Sequence, residues 1–214
     1  MANVSLWTNV DVDVQSALGS AQTITGITKA DPAVATFSSG TLPADGAYVV
    51  FDVTGMTQVD GRVFRVAGGS GSTFQLAGLD STAFGTFVSG TCQVITFGTA
   101  LSTATGLQGS GGDFEFVDIT TIHDSIRKQM PGVASPATYT FESIWDVADA
   151  GLIALNEASE NQTLLAVRFT FANGQKVLFT GYVGATLLPV GNALDKVTTS
   201  VVVTMFGRPT VYAT

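Results

Sequence analysis

The chain has 214 residues, enough for one large domain or two small ones with a sizeable buried core. Hydrophobic residues make up 45 % and charged residues only 12 %, which excludes a wholly disordered chain and leaves a surface of Thr, Ser, Gly and apolar side chains suited to burial against partners. The net charge of −8 argues against nucleic-acid affinity through clustered Lys and Arg, and is compatible with a repelling surface along which a nucleic acid slides without sticking.

In chain order, residues 5–18 alternate almost strictly. Val10, Val12 and Val14 fall on one face and Asn9, Asp11, Asp13 and Gln15 on the other, which predicts a strand with one buried face and one acidic wet face. Residues 21–92 read as a series of short strands. Apolar runs such as 48–53 and 62–66 are separated by the turn signals Asp45-Gly46, Asp60-Gly61 and the glycine-serine run 68–72. Their spacing predicts a small all-β unit without a helix.

Residues 98–112 are rich in Gly, Ser and Thr and read as a linker or mobile loop. Residues 113–118 form a strand with Phe114 and Phe116 on one face. Residues 119–136 hold His123, Asp124, Arg127 and Lys128 and end in Pro131-Gly132 and Pro136, a protruding loop or hairpin. Residues 137–145 are a strand, and Asp146 is placed to cap a helix over 147–159. There Ala148, Leu152 and Leu155 recur at helical spacing with Ile153 beside them. Residues 164–172 alternate again with Leu165, Val167, Phe169 and Phe171 on one side. Asn173-Gly174 signals a hairpin, because both residues tolerate positive φ. A return strand over 175–183 and a long strand over about 194–206 follow. The order predicts a mainly β protein, an antiparallel sandwich or barrel with one short helix.

No catalytic set emerges. His123 is the single histidine, and its neighbour Asp124 is not thereby placed as an orienting partner for a base. Cys92 is the single cysteine, so no intrachain disulfide forms, and an inert buried thiol is expected. His123 and Cys92 make no metal-binding spacing, and Asp11 and Asp13 lack the rest of a calcium loop. The glycine runs at 68–71 and 109–112 carry no lysine and precede no strand-to-helix step. A carboxylate pair brought together by folding stays open. The 14 Phe residues are explained by core packing before any stacking platform for sugars or bases. No catalytic, cofactor or metal residue is assigned. Residues 1–5 carry no signal-peptide pattern, and no run of 18 apolar residues is present to span a membrane. Synthesis in a cytoplasm without membrane insertion is expected.

The run Phe171-Ala-Asn-Gly174, then Val177-Leu-Phe-Thr-Gly-Tyr-Val183, then Val197-Thr-Thr-Ser-Val-Val-Val-Thr204 and Phe206-Gly-Arg-Pro209, resembles the major tail tube proteins of long-tailed bacteriophages. Residues 1–20 and 93–214 account for that core domain. Residues 24–91, with Gly55-Met-Thr-Gln-Val-Asp-Gly-Arg62 and Thr73-Phe-Gln-Leu-Ala-Gly-Leu-Asp-Ser81, resemble a small β module found inside phage tail proteins, so 21–92 is expected as an inserted domain exposed on the outside.

The resemblance implies a homo-oligomer of hexameric rings, stacked into a hollow virion tail tube through which DNA passes without specific binding. Tape measure, tail terminator and tail tip proteins are the implied partners. On this reading Asn9, Asp11, Asp13 and Gln15 line the lumen, and the 119–136 loop, with His123, Asp124, Arg127 and Lys128, reaches a neighbouring subunit. The alternatives are a capsid-decorating or baseplate protein carrying the same module, or a host-surface or carbohydrate-binding module.

Overall fold

The computed structural model describes residues 7–38 and 40–213. Among these the chain forms fifteen strands and one helix. The first strands are β1 (Asp11–Leu18), β2 (Gln22–Ile27), β3 (Val34–Phe37), β4 (Tyr48–Thr54), β5 (Val63–Ser70), β6 (Thr73–Leu76) and β7 (Ser89–Ala100). Strands β2-β3-β6-β5-β4-β7 lie in that order, and β7 pairs back onto β2, closing a six-stranded antiparallel barrel. Closure removes the exposed edges that a short open sheet would leave. The barrel is filled by Phe51, Phe64, Phe74, Met56 and Leu76, all fully buried.

The remaining elements are β8 (Ala104–Ser110), β9 (Phe114–Asp118), β10 (Gln129–Ala134), β11 (Thr138–Ile144), α1 (Ala150–Glu160), β12 (Leu164–Thr170), β13 (Lys176–Ala185), β14 (Thr198–Met205) and β15 (Thr210–Tyr212). The sheet continues from β7 through β1, β12, β13, β14 and β11 to β8. It curls around a second core in which Phe141, Phe169 and Phe179 pack with Val14, Val167 and Val201. The rings of Phe169 and Phe179 lie 5.5 Å apart and those of Phe141 and Phe169 5.9 Å apart. Leu152, Leu155 and Ala158 recur at helical spacing and press α1 onto this core.

The fold is thus mainly β, antiparallel and barrel-like, as expected. Several local expectations are corrected. The first strand begins at Asp11, because Asn9 sits in a turn with φ of 59°; residues 5–6 lie outside the described residues. Residues 98–112 are not a linker, since they hold the end of β7 and all of β8. Composition misleads there because cross-strand partners on β1 and β11 supply the hydrogen bonds, while Leu101 and Leu107 anchor the segment in the core. The helix is capped by Asp149, not Asp146, and Ala148 and Ile153 are exposed. Gly151 lets α1 lie against the backbone of Leu101, whose Cα would be only 2.6 Å from an added Cβ. The 173–174 turn is a three-residue loop in which only Gly174, with φ of 86°, takes the left-handed conformation.

The two cores are joined. Residue 92 falls inside β7, whose first half closes the barrel and whose second half pairs with β1. The chain leaves the first core strand beside the same place, since Gly19 donates its amide to Val94 O at 2.8 Å. A third apolar cluster lies between the units, with Tyr48, Val63 and Ile95 from the barrel side and Ala166, Leu178 and Tyr212 from the other. The backbone N–H of Arg65 donates to Tyr212 Oη at 2.7 Å, and the Arg65 guanidinium stacks 4.7 Å from that ring. Thr180 Oγ1 donates to the carbonyl of Gly61.

Candidate assembly surfaces

Strands β9 and β10 pair only with each other, as a separate two-stranded sheet between β8 and β11. Every residue of β9 is exposed. An isolated two-stranded hairpin is marginal in water, and this one is built from apolar residues. Ile122 is 96 % exposed, Val133 84 % and Ile126 75 %, with Phe116, Val117 and Met130 each more than half exposed. Such a concentration of apolar surface marks a place for a partner.

The tip of this arm is nonetheless ordered by its own polar groups. Asp118 accepts the Thr120 amide at 2.9 Å and pairs with Arg127 Nε at 3.1 Å. Asp124 accepts the Thr121 amide and hydroxyl at 3.0 and 2.9 Å and pairs with Lys128 across the loop. Hydrogen bonds from Thr120 and then Arg127 hold the Asp118 carboxyl below its ordinary value, and Lys128 and Thr121 do the same for Asp124. His123 is exposed between them. The structure therefore brings His123, Asp124, Arg127 and Lys128 together at one tip, where their interactions shape a loop.

The four polar residues near the chain start are separated in role. Asn9 and Asp11 are exposed. Asp13 lies opposite Arg168 in the β1–β12 register and accepts from its Nη2 at 2.6 Å and its Nε at 3.1 Å. The same guanidinium covers the Phe97 ring at 4.8 Å and the Tyr48 ring at 5.7 Å. Gln15 Oε1 accepts the Ala166 amide at 3.3 Å. Asp13 and Gln15 thus face the junction between the two units.

A second polar face escaped sequence reading. On β8, β11 and β14 the side chains opposite the core form cross-strand rows, with Thr140 facing Gln108 and Val202, and Glu142 facing Ser200. Glu142 is the single charge in these three strands and is exposed. The signal was present in the alternation of Thr138, Thr140, Glu142 and Ile144, but only the β11–β14 register shows that these residues share a face with the 198–204 row.

Nothing about the one thiol suggests chemistry. Cys92 is buried in the barrel, and burial pushes its pKa up to about 11, so it stays protonated and a poor nucleophile. Among the described residues no group of three His, Cys, Asp or Glu side chains is placed to hold a metal ion. No helix among them is long and apolar enough to cross a membrane.

A family model described as phage tail tube protein, TTP, matches residues 54–214, well over half of the chain. The match begins at the last residue of β4, so it takes in β5, β6 and β7 of the barrel and every element of the second unit except β1. No curated protein matches the chain. The chain belongs to the phage tail tube protein family; its role is structural, as a component of the virion tail that assembles into a tube with other tail proteins.

Proposed function

We propose that this tail tube subunit polymerises as stacked hexameric rings into a hollow tube through which DNA passes to the host. The observation that carries the reading is the β9–β10 arm, whose exposed apolar side chains demand a partner that a single copy does not provide. A head-to-tail contact between identical copies closes into rings or propagates into a filament, and an arm projecting from one copy toward another is a contact of that kind. The arm tip, with His123, Asp124, Arg127 and Lys128, is the part that reaches the neighbouring subunit.

Residues 1–20 and 93–214 build the tube wall, and the barrel over 21–92 stands on its outside. Its closed strand order supports this division, since a barrel without free edges has none to lend to a neighbour. The copies are made in the host cytoplasm. Tape measure, tail terminator and tail tip proteins are the partners at the tube's interior and ends.

The lumen is acidic or neutral, so that DNA phosphates are repelled rather than held. Asn9, Asp11, Asp13 and Gln15 are one candidate lining, in which Asn9 and Asp11 would meet DNA and Asp13 and Gln15 would brace the row. The open β8–β11–β14 face, with Glu142 and no basic residue, is a second, favoured by its extent across three strands. Antibody against this chain, visualised by immunogold on virions of the encoding phage, should label the tail along its length. Gold confined to the head or to the distal end would instead favour a capsid-decorating or baseplate protein.

A further inference from the structure

A cleft of 780 Å³ opens where the barrel unit, the root of the arm and the loop before β15 meet. That is within the range of about 300–1,000 Å³ typical of sites that enclose a sizeable ligand. Its walls are apolar at Phe84, Pro136 and Phe206, basic at Arg62 and Arg208, and acidic at Asp60, whose Oδ1 already accepts the Val53 amide at 3.0 Å. The basic pair stands out in a chain of net charge −8. Arg62 donates to Gln58 O at 3.1 Å and to Thr210 Oγ1 at 3.4 Å and lies over the Phe64 ring, but its Nε is buried with no hydrogen-bond partner among the described residues. Neither arginine has a carboxylate partner among the described residues. Burial, and then the nearby Arg208 charge, hold Arg62 below the usual guanidinium range, against the pull of Tyr212; an arriving carboxylate would supply the missing counter-charge and offset the repulsion between the two arginines. A buried donor without a partner is costly and calls for an acceptor.

The same chain carries the complementary surface. Directly opposite residues in an antiparallel pair share a face, so Val117 and Met130 project together, with Glu115 two residues along on the same side. Val117 and Met130 are each 52 % exposed. Of the arm's acids, Asp118 and Asp124 are already paired with Arg127 and Lys128, whereas Glu115 has no side-chain partner among the described residues. Apolar groups with one unpaired carboxylate thus match an apolar cleft with two unpaired arginines.

We infer that the cleft is the receptor for the arm of a second copy of this chain, which seats Val117 and Met130 against Phe84 and Phe206 and directs Glu115 between Arg62 and Arg208. The inference rests on the self-assembly reading above and names its contact surface. Donor and receptor are different patches of one molecule, so each copy uses both, and the contact repeats from subunit to subunit. The contact also gives the barrel a part in assembly, since Arg62 and Phe84 belong to it.

Charge reversal tests this with the full chain. Glu115→Arg and Arg208→Glu should each raise the concentration at which polymer appears by about tenfold or more, and the combination should bring it most of the way back. Both changes are at exposed positions, and circular dichroism should show the folded monomer intact. In a second measurement, Thr57→Cys and Met130→Cys in one chain should give disulfide-linked ladders of copies on assembly, with buried Cys92 left in place. If tubes form but the single reversals assemble normally and no ladder appears, the cleft is not the receptor, though self-assembly stands. If the reversals are damaging but not mutually rescued, the Glu115–arginine pairing is wrong. If the unaltered protein never polymerises, the self-assembly reading and this inference fall together.

Discussion

Asp149 holds two segments at once. Its Oδ1 accepts the Leu152 amide at 2.9 Å as the cap of α1, and its Oδ2 accepts the Ser102 amide and hydroxyl at 3.1 and 2.6 Å. Burial by itself would raise its pKa, but hydrogen bonds led by Ser102 hold the carboxyl below its ordinary value. The folded pKa is therefore lower than the unfolded one, near about 4. The stabilisation is fully present above that value and is lost as pH falls through the lower, folded one. Asp149→Ala should cost about 1–2 kcal/mol at neutral pH, from the lost cap and the orphaned Ser102 contacts. Urea denaturation at about pH 7 and pH 3 would show the difference from the native chain shrinking in acid; an equal difference at both would contradict the charged-cap account. From the sequence, an aspartate cap before the helix was legible and Asp146 was expected in that role, whereas the structure uses Asp149. Only the contact with Ser102, 47 positions away in sequence, separates them. A second residue-scale test concerns the open face. Glu142→Lys should leave stability within about 0.5 kcal/mol, as expected for an exposed position, yet make tubes retain DNA in low salt. If instead Asp11→Lys has that effect and Glu142→Lys does not, the lumen belongs to the β1 row.

Among the elements, the arm and the barrel make opposite demands. The arm adds nothing to either core, so deleting residues 122–132 should leave the thermal midpoint of the monomer nearly unchanged while abolishing polymerisation, as read by sedimentation. Normal polymers from the deleted chain would remove the arm from the assembly contact. The barrel has its own core, but Leu178 and Tyr212, fully or almost fully buried, lie under it. Removing residues 21–92 would uncover them, and each large apolar side chain returned to water forfeits about 1.5–3 kcal/mol. The truncated chain should therefore melt lower. If the barrel is only an external passenger the truncated chain still forms tubes, and if the cleft on its flank receives the arm, tube formation weakens with it.

The alternating strands were readable because one of their faces is buried, as at Leu165, Val167 and Phe169. The hairpin at Asn173-Gly174 was readable because glycine there takes a conformation other residues avoid. Strand β8 was not, since a strand of small and polar residues whose one large apolar side chain is Leu107 lacks an apolar row and takes its order from β11. The junction of the two units was hidden for a similar reason. Ala166 and Leu178 look like the minor face of ordinary strands until the barrel is seen covering them.

At the scale of the whole molecule, the family assignment makes this chain a structural subunit, and the mainly β, barrel-like fold fits that role. A low share of charged residues, one closed barrel, one open sheet face and one apolar arm are the features of a part made to be joined to others. On the proposed reading the arm would set the direction of joining, while the closed barrel offers no free edge for unwanted pairing. The central claim, self-assembly of this one chain, is tested most directly by raising the concentration of purified protein and imaging it by negative-stain electron microscopy. Hollow tubes of uniform diameter, with regular cross-striations from stacked rings, are expected above a threshold concentration. Particles that stay monomeric, or clump without a lumen, at every concentration and salt would contradict the account.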